Sequence, residues 1–413
     1  MNENRTETAD CVVVGGGPAG LMLGLLLARS GVDTLVLEKH ADFLRDFRGD
    51  TIHPSTQDAL ADLGLIDEFL ALPHTEMSHV TLRYRGRDMV LADFSRLPTA
   101  RKTIAFMPQW DFLDLLARAG EREPGFRLLR RTRGAEPIVE DGRVVGVRAE
   151  GPEGAFDVRS RLVVAADGRD SDVRAAAGMV PRKIASAMDV LWFRLPKDPA
   201  ERQPFVHAGD GTLIVIDRGD FFQVAYVIPA GSWEGDAESL AAMRTRVSSL
   251  VPELNDRVHA LELDDIKLLT VRLERLRRWQ RDGLLAVGDA AHAMSPAGGV
   301  GINLALQDAI ATANILGPIL RNRRPTEREL RRVQRRRALP TVIIQRVQRV
   351  LQDPLLGSAA ASPKLPLPIR ALQRIPFLRH VTGRVVGRGI RAERVRIRTA
   401  GETSAGLAAP GPQ

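Results

Sequence analysis

Gly15-Gly16-Gly17-Pro18-Ala19-Gly20 is the first stretch whose residue types and spacing could do chemistry. Gly15 permits a tight turn, Gly17 lets backbone approach a pyrophosphate, and Gly20 allows a helix to pack closely on the preceding strand. The helix opening at Pro18 points its free N–H groups and positive dipole end at phosphates. Glu38 follows at the end of the next apolar run. An acid there accepts hydrogen bonds from ribose hydroxyls and disfavours a 2′-phosphate. The chemistry is binding of a dinucleotide with an unphosphorylated adenosine ribose, by Gly15, Gly17, Ala19, Gly20 and Glu38. Glycines that merely shaped a loop would leave Glu38 unexplained.

Two later stretches narrow the ligand. Leu285-Ala286-Val287-Gly288-Asp289-Ala290-Ala291-His292 puts an acid at the mouth of an apolar strand. Asp289 can there bind the hydroxyls of a ribityl chain, a group that nicotinamide dinucleotides lack. The loop Pro296-Ala297-Gly298-Gly299-Val300-Gly301-Ile302-Asn303 leads into an apolar helix over 304–320. N–H groups at that helix start would face the pyrimidine edge of a flavin and stabilise the negative charge of its reduced form. Asp167, in Ala166-Asp167-Gly168-Arg169-Asp170-Ser171, opens a turn after a third apolar strand; Asp-Gly is common in turns, so its company gives it weight. His292, among Ala290, Ala291 and Ala293, is read as a packing residue. We find no catalytic triad and no metal-ligating cluster.

The elements that must position these residues follow from periodicity. Cys11 to Val14, the helix 18–30 closed by Gly31, and Leu35 to Leu37 read as a βαβ unit, which needs a parallel sheet. Val80 to Tyr84 and Arg87 to Leu91 flank Arg85-Gly86 as a hairpin, and Arg143 to Ala149 is the second arm of another. Gln109 to Glu121 has helical spacing in Phe112, Leu113, Leu116 and Ala117. Residues 188–228 are strand-rich and aromatic. At alternate spacing Trp192 and Arg194 share one strand face, as do Phe222, Val224 and Tyr226. Trp192, Arg194, Phe222 and Tyr226 are expected to wall a substrate pocket.

A chain of 413 residues exceeds a single core, so two lobes and a tail are expected. The single cysteine, Cys11, excludes an intramolecular disulfide and a thiolate cluster, and reads as a small core residue of a cytoplasmic protein. Leu21 to Ala28 is too short for a membrane span. The formal charge of +8 owes much to arginines from Arg321 to Arg337. They read first as a solvated helix face and second as a weak contact with an anionic membrane surface. No nucleic-acid motif accompanies them. Val342, Ile343, Ile344 and Val347 suggest an apolar stripe closing the C-terminal helices over the first lobe. Gly401 to Gln413 reads as a disordered tail.

The three motifs occur in order over most of residues 10 to 320 and together resemble the group A flavoprotein monooxygenases, the family of para-hydroxybenzoate hydroxylase and the phenol, ubiquinone-precursor and polyketide hydroxylases. The resemblance implies bound FAD, transient docking of NADH or NADPH, O2 as cosubstrate, and a flavin hydroperoxide attacked by an electron-rich carbon of an aromatic or polycyclic substrate. It implies that Arg48 contacts FAD near the pyrophosphate, with Arg45 a second candidate. Gln109 corresponds to a flavin-contacting glutamine, and Asp167 to an acid serving both FAD and the nicotinamide cofactor. Asp289, after Gly288, corresponds to the ribityl-binding acid. Pro296 would lie beside the reacting flavin face, followed by Gly299 and Gly301. Lys39 stands where the family often has arginine. His53 is expected either to face the flavin cavity or to enter the helix near Pro54.

The fold class is thus α/β. A Rossmann-like FAD-binding lobe with a parallel sheet is expected from 1–75, 100–187 and 270–340. A mostly antiparallel β substrate lobe is expected from 76–99 and 188–269, with helical residues 341–400 behind. A halogenase, an isoprenoid-saturating reductase and a non-catalytic flavin-binding protein remain alternatives. The halogenase stretch Trp-x-Trp-x-Ile-Pro is missing around Trp110, Trp192, Trp233 and Trp279.

Overall fold

The structure, a computed structural model, describes residues 5–44, 51–184, 186–356 and 367–397. Arg45, Arg48, the breaks at Pro363 and Pro366, and the tail from Gly401 lie outside them.

The first apolar run becomes the strand Thr6–Val14, parallel to Thr34–Leu37 on one side and to Gly154–Ala165 on the other. Phe126–Leu129 and Leu284–Ala286 extend this parallel core outward. Arg133–Glu140, Arg143–Gly151 and Gln280–Arg281 add antiparallel strands to complete eight. The connecting helix Pro18–Arg29 is buried from Ala19 to Ala28, because it lies under the helices Gln109–Glu121 and Val300–Leu320 as well as on the sheet. A helix apolar all round is stable only in such a sandwich. Each fully buried leucine there contributes about 1.5–3 kcal/mol. Cys11 is wholly buried, and burial pushes its thiol pKa up.

A second sheet has seven strands, in the order Lys267–Thr270, Met188–Pro196, Phe221–Pro229, Thr212–Asp217, Val206–Ala208, His79–Tyr84 and Arg87–Asp93. The last two are the expected hairpin, whose turn has positive φ at Arg85 (48°) and Gly86 (78°), as a two-residue primed turn requires. All neighbours are antiparallel except Val206–Ala208 with His79–Tyr84. One face packs on the helices Ala237–Leu250 and Asn255–His259. A small sheet of Thr51–Ile52, Ile104–Phe106 and Thr75–Met77 completes the β structure.

The C-terminal helix Glu327–Leu356 packs on Val300–Leu320 and runs unbroken through residue 340. Its contact face corrects the sequence expectation. Val342 and Ile343 are half-buried and Val347 is exposed, while Thr341, Ile344, Gln345 and Gln348 are buried. The reason is the surface it meets, which offers backbone carbonyls to satisfy. Gln345 donates to the carbonyls of Glu274 (3.3 Å) and Ala293 (3.1 Å), and Gln348 to that of Ser295 (2.9 Å). The basic face is solvated at Arg324, Arg328, Arg331, Arg332 and Arg335, but Arg337 is 1% exposed and belongs to the interior. Helices Leu367–Arg374 and Phe377–Gly387 then cover the strand Arg87–Asp93. Among the described residues no helix is long and apolar enough to cross a membrane.

Candidate functional site

The mouths of the parallel strands open into one cavity of roughly 500 Å³, shared with the free face of the seven-stranded sheet. Its first wall is the N-terminal glycine turn. Gly15 has φ +107°, and a Cβ there would stand 2.5 Å from the Ala166 carbonyl oxygen, so the turn and the Asp167 segment touch backbone to backbone. At Gly20 a Cβ would stand 1.8 Å from the Gly15 carbonyl oxygen. Gly17, by contrast, has an extended backbone and would meet nothing within 4 Å; it opens onto the cavity beside Ala19. Glu38 is buried, with its carboxylate accepting the Gly16 N–H at 2.8 Å and the His40 N–H at 2.9 Å. That fixes an acid at the cavity edge, with Lys39 next to it.

Asp289 faces the cavity from the turn Gly288–Ala290. Gly288 lies behind, with φ +57° and room only for contact with Ala19 and Ala305. The loop containing Pro296 continues this wall and turns through Gly298 (φ 80°) and Gly299 (φ 61°). One residue locks it. The Asn303 amide donates to the carbonyls of Thr51 (2.8 Å) and Gly299 (3.1 Å) and accepts from the His53 N–H (2.9 Å) and the Thr56 hydroxyl (2.8 Å). Thr51 adds a hydroxyl bond to the Gly299 carbonyl at 2.8 Å. Sequence reading placed Asn303 only as the end of the loop; its position in the first turn of a helix after glycines was the available signal. The helix Val300–Leu320 has no side-chain cap, and Gly299, Gly301 and Ile302 at its start line the cavity.

These walls fit FAD. Asp167 supplies the sharpest test. It lines the cavity, and its two buried carboxylate oxygens lack a hydrogen-bond partner among the described residues. Burial raises its pKa, and the nearby Ser171 offsets only part of that. A buried carboxylate left so is costly, and ligand hydroxyls or amides would satisfy it. Gly17 leaves the space for a pyrophosphate, Glu38 an acceptor for ribose, and Gln109 adds a polar group at the edge.

The far wall is apolar. Met188, Val190 and Trp192 come from one strand, Ala225 and Val227 from the next, and Ile214 and Ile216 from the third. Trp192 lines the cavity, and the three other candidates for this wall do not. Arg194 shares the strand face of Trp192 but is exposed beyond the cavity, with its guanidinium 5.0 Å from the Phe221 ring centre. Phe222 and Tyr226 point to the opposite face, into the core against helix Ala237–Leu250. His53 is also corrected: it does not line the cavity. It precedes the helix Pro54–Asp62, and its buried ring bonds through Nδ1 to the Val386 carbonyl at 2.8 Å. Burial lowers its pKa to about 4, against the opposing pull of the Val386 and Gly298 carbonyls.

Comparison with known proteins agrees with this geometry. The FAD binding domain family matches residues 8–347. The chain is 37% identical over 388 residues to 6-methylpretetramide 4-monooxygenase of Streptomyces rimosus, covering 91% of each. It is 30% identical over 319 residues to rifampicin monooxygenase of Streptomyces venezuelae, covering 73% of this chain and 62% of that one. Among solved structures, anhydrotetracycline hydroxylase from Streptomyces rimosus superposes with a TM-score of 0.73 at 23% identity, over 92% of this chain and 76% of the other. That last likeness is one of fold.

Proposed function

Because this chain belongs to the FAD-dependent aromatic monooxygenases built on the FAD binding domain, we propose that it hydroxylates a small aromatic or polyketide-like molecule, using NADH or NADPH as reductant and O2 as oxygen donor. It is a flavin-dependent monooxygenase. The observation that carries the substrate class is the wall of Met188, Val190, Trp192, Ile214, Ala225 and Val227, which has no charged side chain and shares one cavity with Asp289 and the glycine loop. The relative at 37% identity is named for its action on 6-methylpretetramide, which suits an apolar wall of this kind.

In this reading Gly15, Gly17, Ala19, Gly20 and Glu38 seat the adenosine and pyrophosphate, Asp167 accepts donors from the same half, and Asp289 takes the ribityl hydroxyls. Lys39 adds positive charge at the phosphates, and Gln109 meets the ring system. The flavin supplies electron transfer from the reductant and activation of oxygen. The N–H groups at the start of Val300–Leu320 would stabilise negative charge on the reduced ring, and the Pro296 backbone borders the reacting space. The apolar wall excludes water and presents the substrate by its faces and edges. Among the described residues no acid or base lines that wall, which suits a substrate whose own electron-rich ring supplies the reactivity. The test is a substrate panel scored by stimulated NAD(P)H oxidation, with products weighed after reaction under labelled oxygen. Gain of one labelled oxygen is expected; a halogenated or saturated product, or no stimulation by any aromatic, overturns the proposal.

A further inference from the structure

Outside the cavity lining, directly behind the Gly288–Asp289 turn, lies a chain of buried charge that the proposed chemistry does not use. Asp308, wholly buried on helix Val300–Leu320, accepts the Gly288 N–H at 3.2 Å and His292 Nε2 at 2.5 Å through Oδ2. Its Oδ1 receives Arg337 Nε at 3.0 Å. Arg337, 1% exposed, donates further to the Arg391 carbonyl at 3.2 Å and stands 3.5 Å from Glu393. Burial alone would raise the Asp308 pKa, but His292 and Arg337 outweigh it and hold the carboxyl below its usual value.

We propose that Arg337 is a positioning residue for the cofactor: through Asp308 it fixes the Gly288–His292 turn, and with it the Asp289 carboxylate that faces the cavity. The inference rests on the reading that Asp289 holds FAD. The physical reason is that a carboxylate with no solvent needs a compensating cation and filled lone pairs. His292 does not fill that place, because it bonds Oδ2 and leaves Oδ1 to Arg337. Its Nδ1 is buried without a hydrogen-bond partner among the described residues, and its ring lies 4.8 Å from that of Trp279. Without Arg337, Asp308 either takes up a proton or turns away, and the Gly288 N–H loses its anchor.

The rival is that Arg337 merely pins the C-terminal segment through Glu393. Arg336 separates the two, since it bonds Glu393 at 2.6 Å and makes no contact with Asp308. Full-length apoproteins of the wild type, Arg337→Met, Arg337→Lys and Arg336→Met would be titrated with FAD by fluorescence quenching, at a temperature where circular dichroism shows each folded. Their apoprotein unfolding temperatures would be measured alongside. Arg337→Met should weaken FAD binding by roughly tenfold or more, and Arg337→Lys, which keeps charge but loses the fork, by about threefold. Arg336→Met should lower the unfolding temperature and leave FAD affinity within about twofold of wild type. Equal losses in Arg337→Met and Arg336→Met, or a fall in unfolding temperature alone, overturn the proposal. Should Arg337→Met not fold, Arg337→Lys decides: unchanged FAD affinity overturns it. Wild-type apoprotein that takes up no FAD overturns the cofactor reading itself, and shows this before any substitution is compared.

Discussion

Two alanine substitutions in one glycine motif should have separable effects, one on cofactor binding and one on the stability of the apoprotein. Gly17→Ala adds a methyl that meets no protein atom within 4 Å and projects into the cavity. Its backbone, at φ −77° and ψ −175°, is one alanine adopts freely. The reduced freedom of the unfolded chain stabilises by about 0.4–1 kcal/mol, and a poorer N-cap costs a similar amount. The apoprotein should thus unfold within about 2 °C of wild type. The methyl would, however, overlap a pyrophosphate packed on Gly17. Overpacking costs about 1–3 kcal/mol, so FAD should bind roughly 5- to 150-fold more weakly. Gly20→Ala is the reverse. Its Cβ would stand 1.8 Å from the Gly15 carbonyl oxygen, a clash of backbone with no flexible side chain to yield. The helix must shift off the strand, and the apoprotein itself should lose about 1–3 kcal/mol or more. Thermal unfolding of the apoproteins and titration with FAD read the two effects separately. Wild-type FAD affinity in Gly17→Ala, or matching apoprotein stability in the two variants, would refute the reasoning.

Asp289→Ala removes charge-assisted hydrogen bonds of about 1.5–3 kcal/mol each, so FAD affinity should drop by roughly tenfold with circular dichroism unchanged; full cofactor occupancy would remove the residue from the site. Asp167 has a raised folded pKa, so between its unfolded value and that raised value the folded state holds more protons than the unfolded one. Apoprotein stability should therefore rise as pH falls through that window and be lost as pH climbs past it. Asp167→Asn should stabilise the apoprotein at neutral pH, flatten this dependence and weaken FAD binding, and a destabilised apoprotein would contradict it. Trp192→Ala should raise KM for an aromatic substrate while sparing FAD, whereas Tyr226→Phe, altering the opposite face, should leave KM alone; the reverse pattern in steady-state kinetics would put the substrate on the Tyr226 face.

The cofactor half was legible because its chemistry dictates residue types that have no substitute. A turn at φ +107°, an open approach at Gly17 and a helix pressed on a carbonyl at Gly20 each demand glycine, so their spacing survives in the sequence as a pattern. The substrate half was not legible in this way. In the strand Phe221–Pro229 seven consecutive residues, Phe222 to Ile228, are buried, because one face meets helices and the other bounds the cavity. Alternation shows that two faces exist and does not say which is which. Size misled as well. The large Phe222 and Tyr226 fill the solid core, while the cavity face takes Ala225 and Val227, where small side chains leave room for a ligand.

The C-terminal segment was misread for a related reason, and the correction changes what it does. An apolar stripe would have made it a lid held by area alone. Instead it meets the cavity walls through bonds that fix geometry at two separate points. The Val386 carbonyl holds the His53 ring, and the His53 N–H is bound by the same Asn303 that locks the glycine loop. Arg337, itself beside Glu393, holds Asp308, which holds the Gly288 turn. Arg337 is one arginine among many on its helix, and composition cannot mark the one that turns inward. A buried ion pair contributes little net stability once desolvation is counted, but it tolerates only one register of the two helices. The cofactor walls and the C-terminal segment are thus tied in register, so strain introduced near Arg337 or Val386 should reach flavin binding without any contact with the flavin.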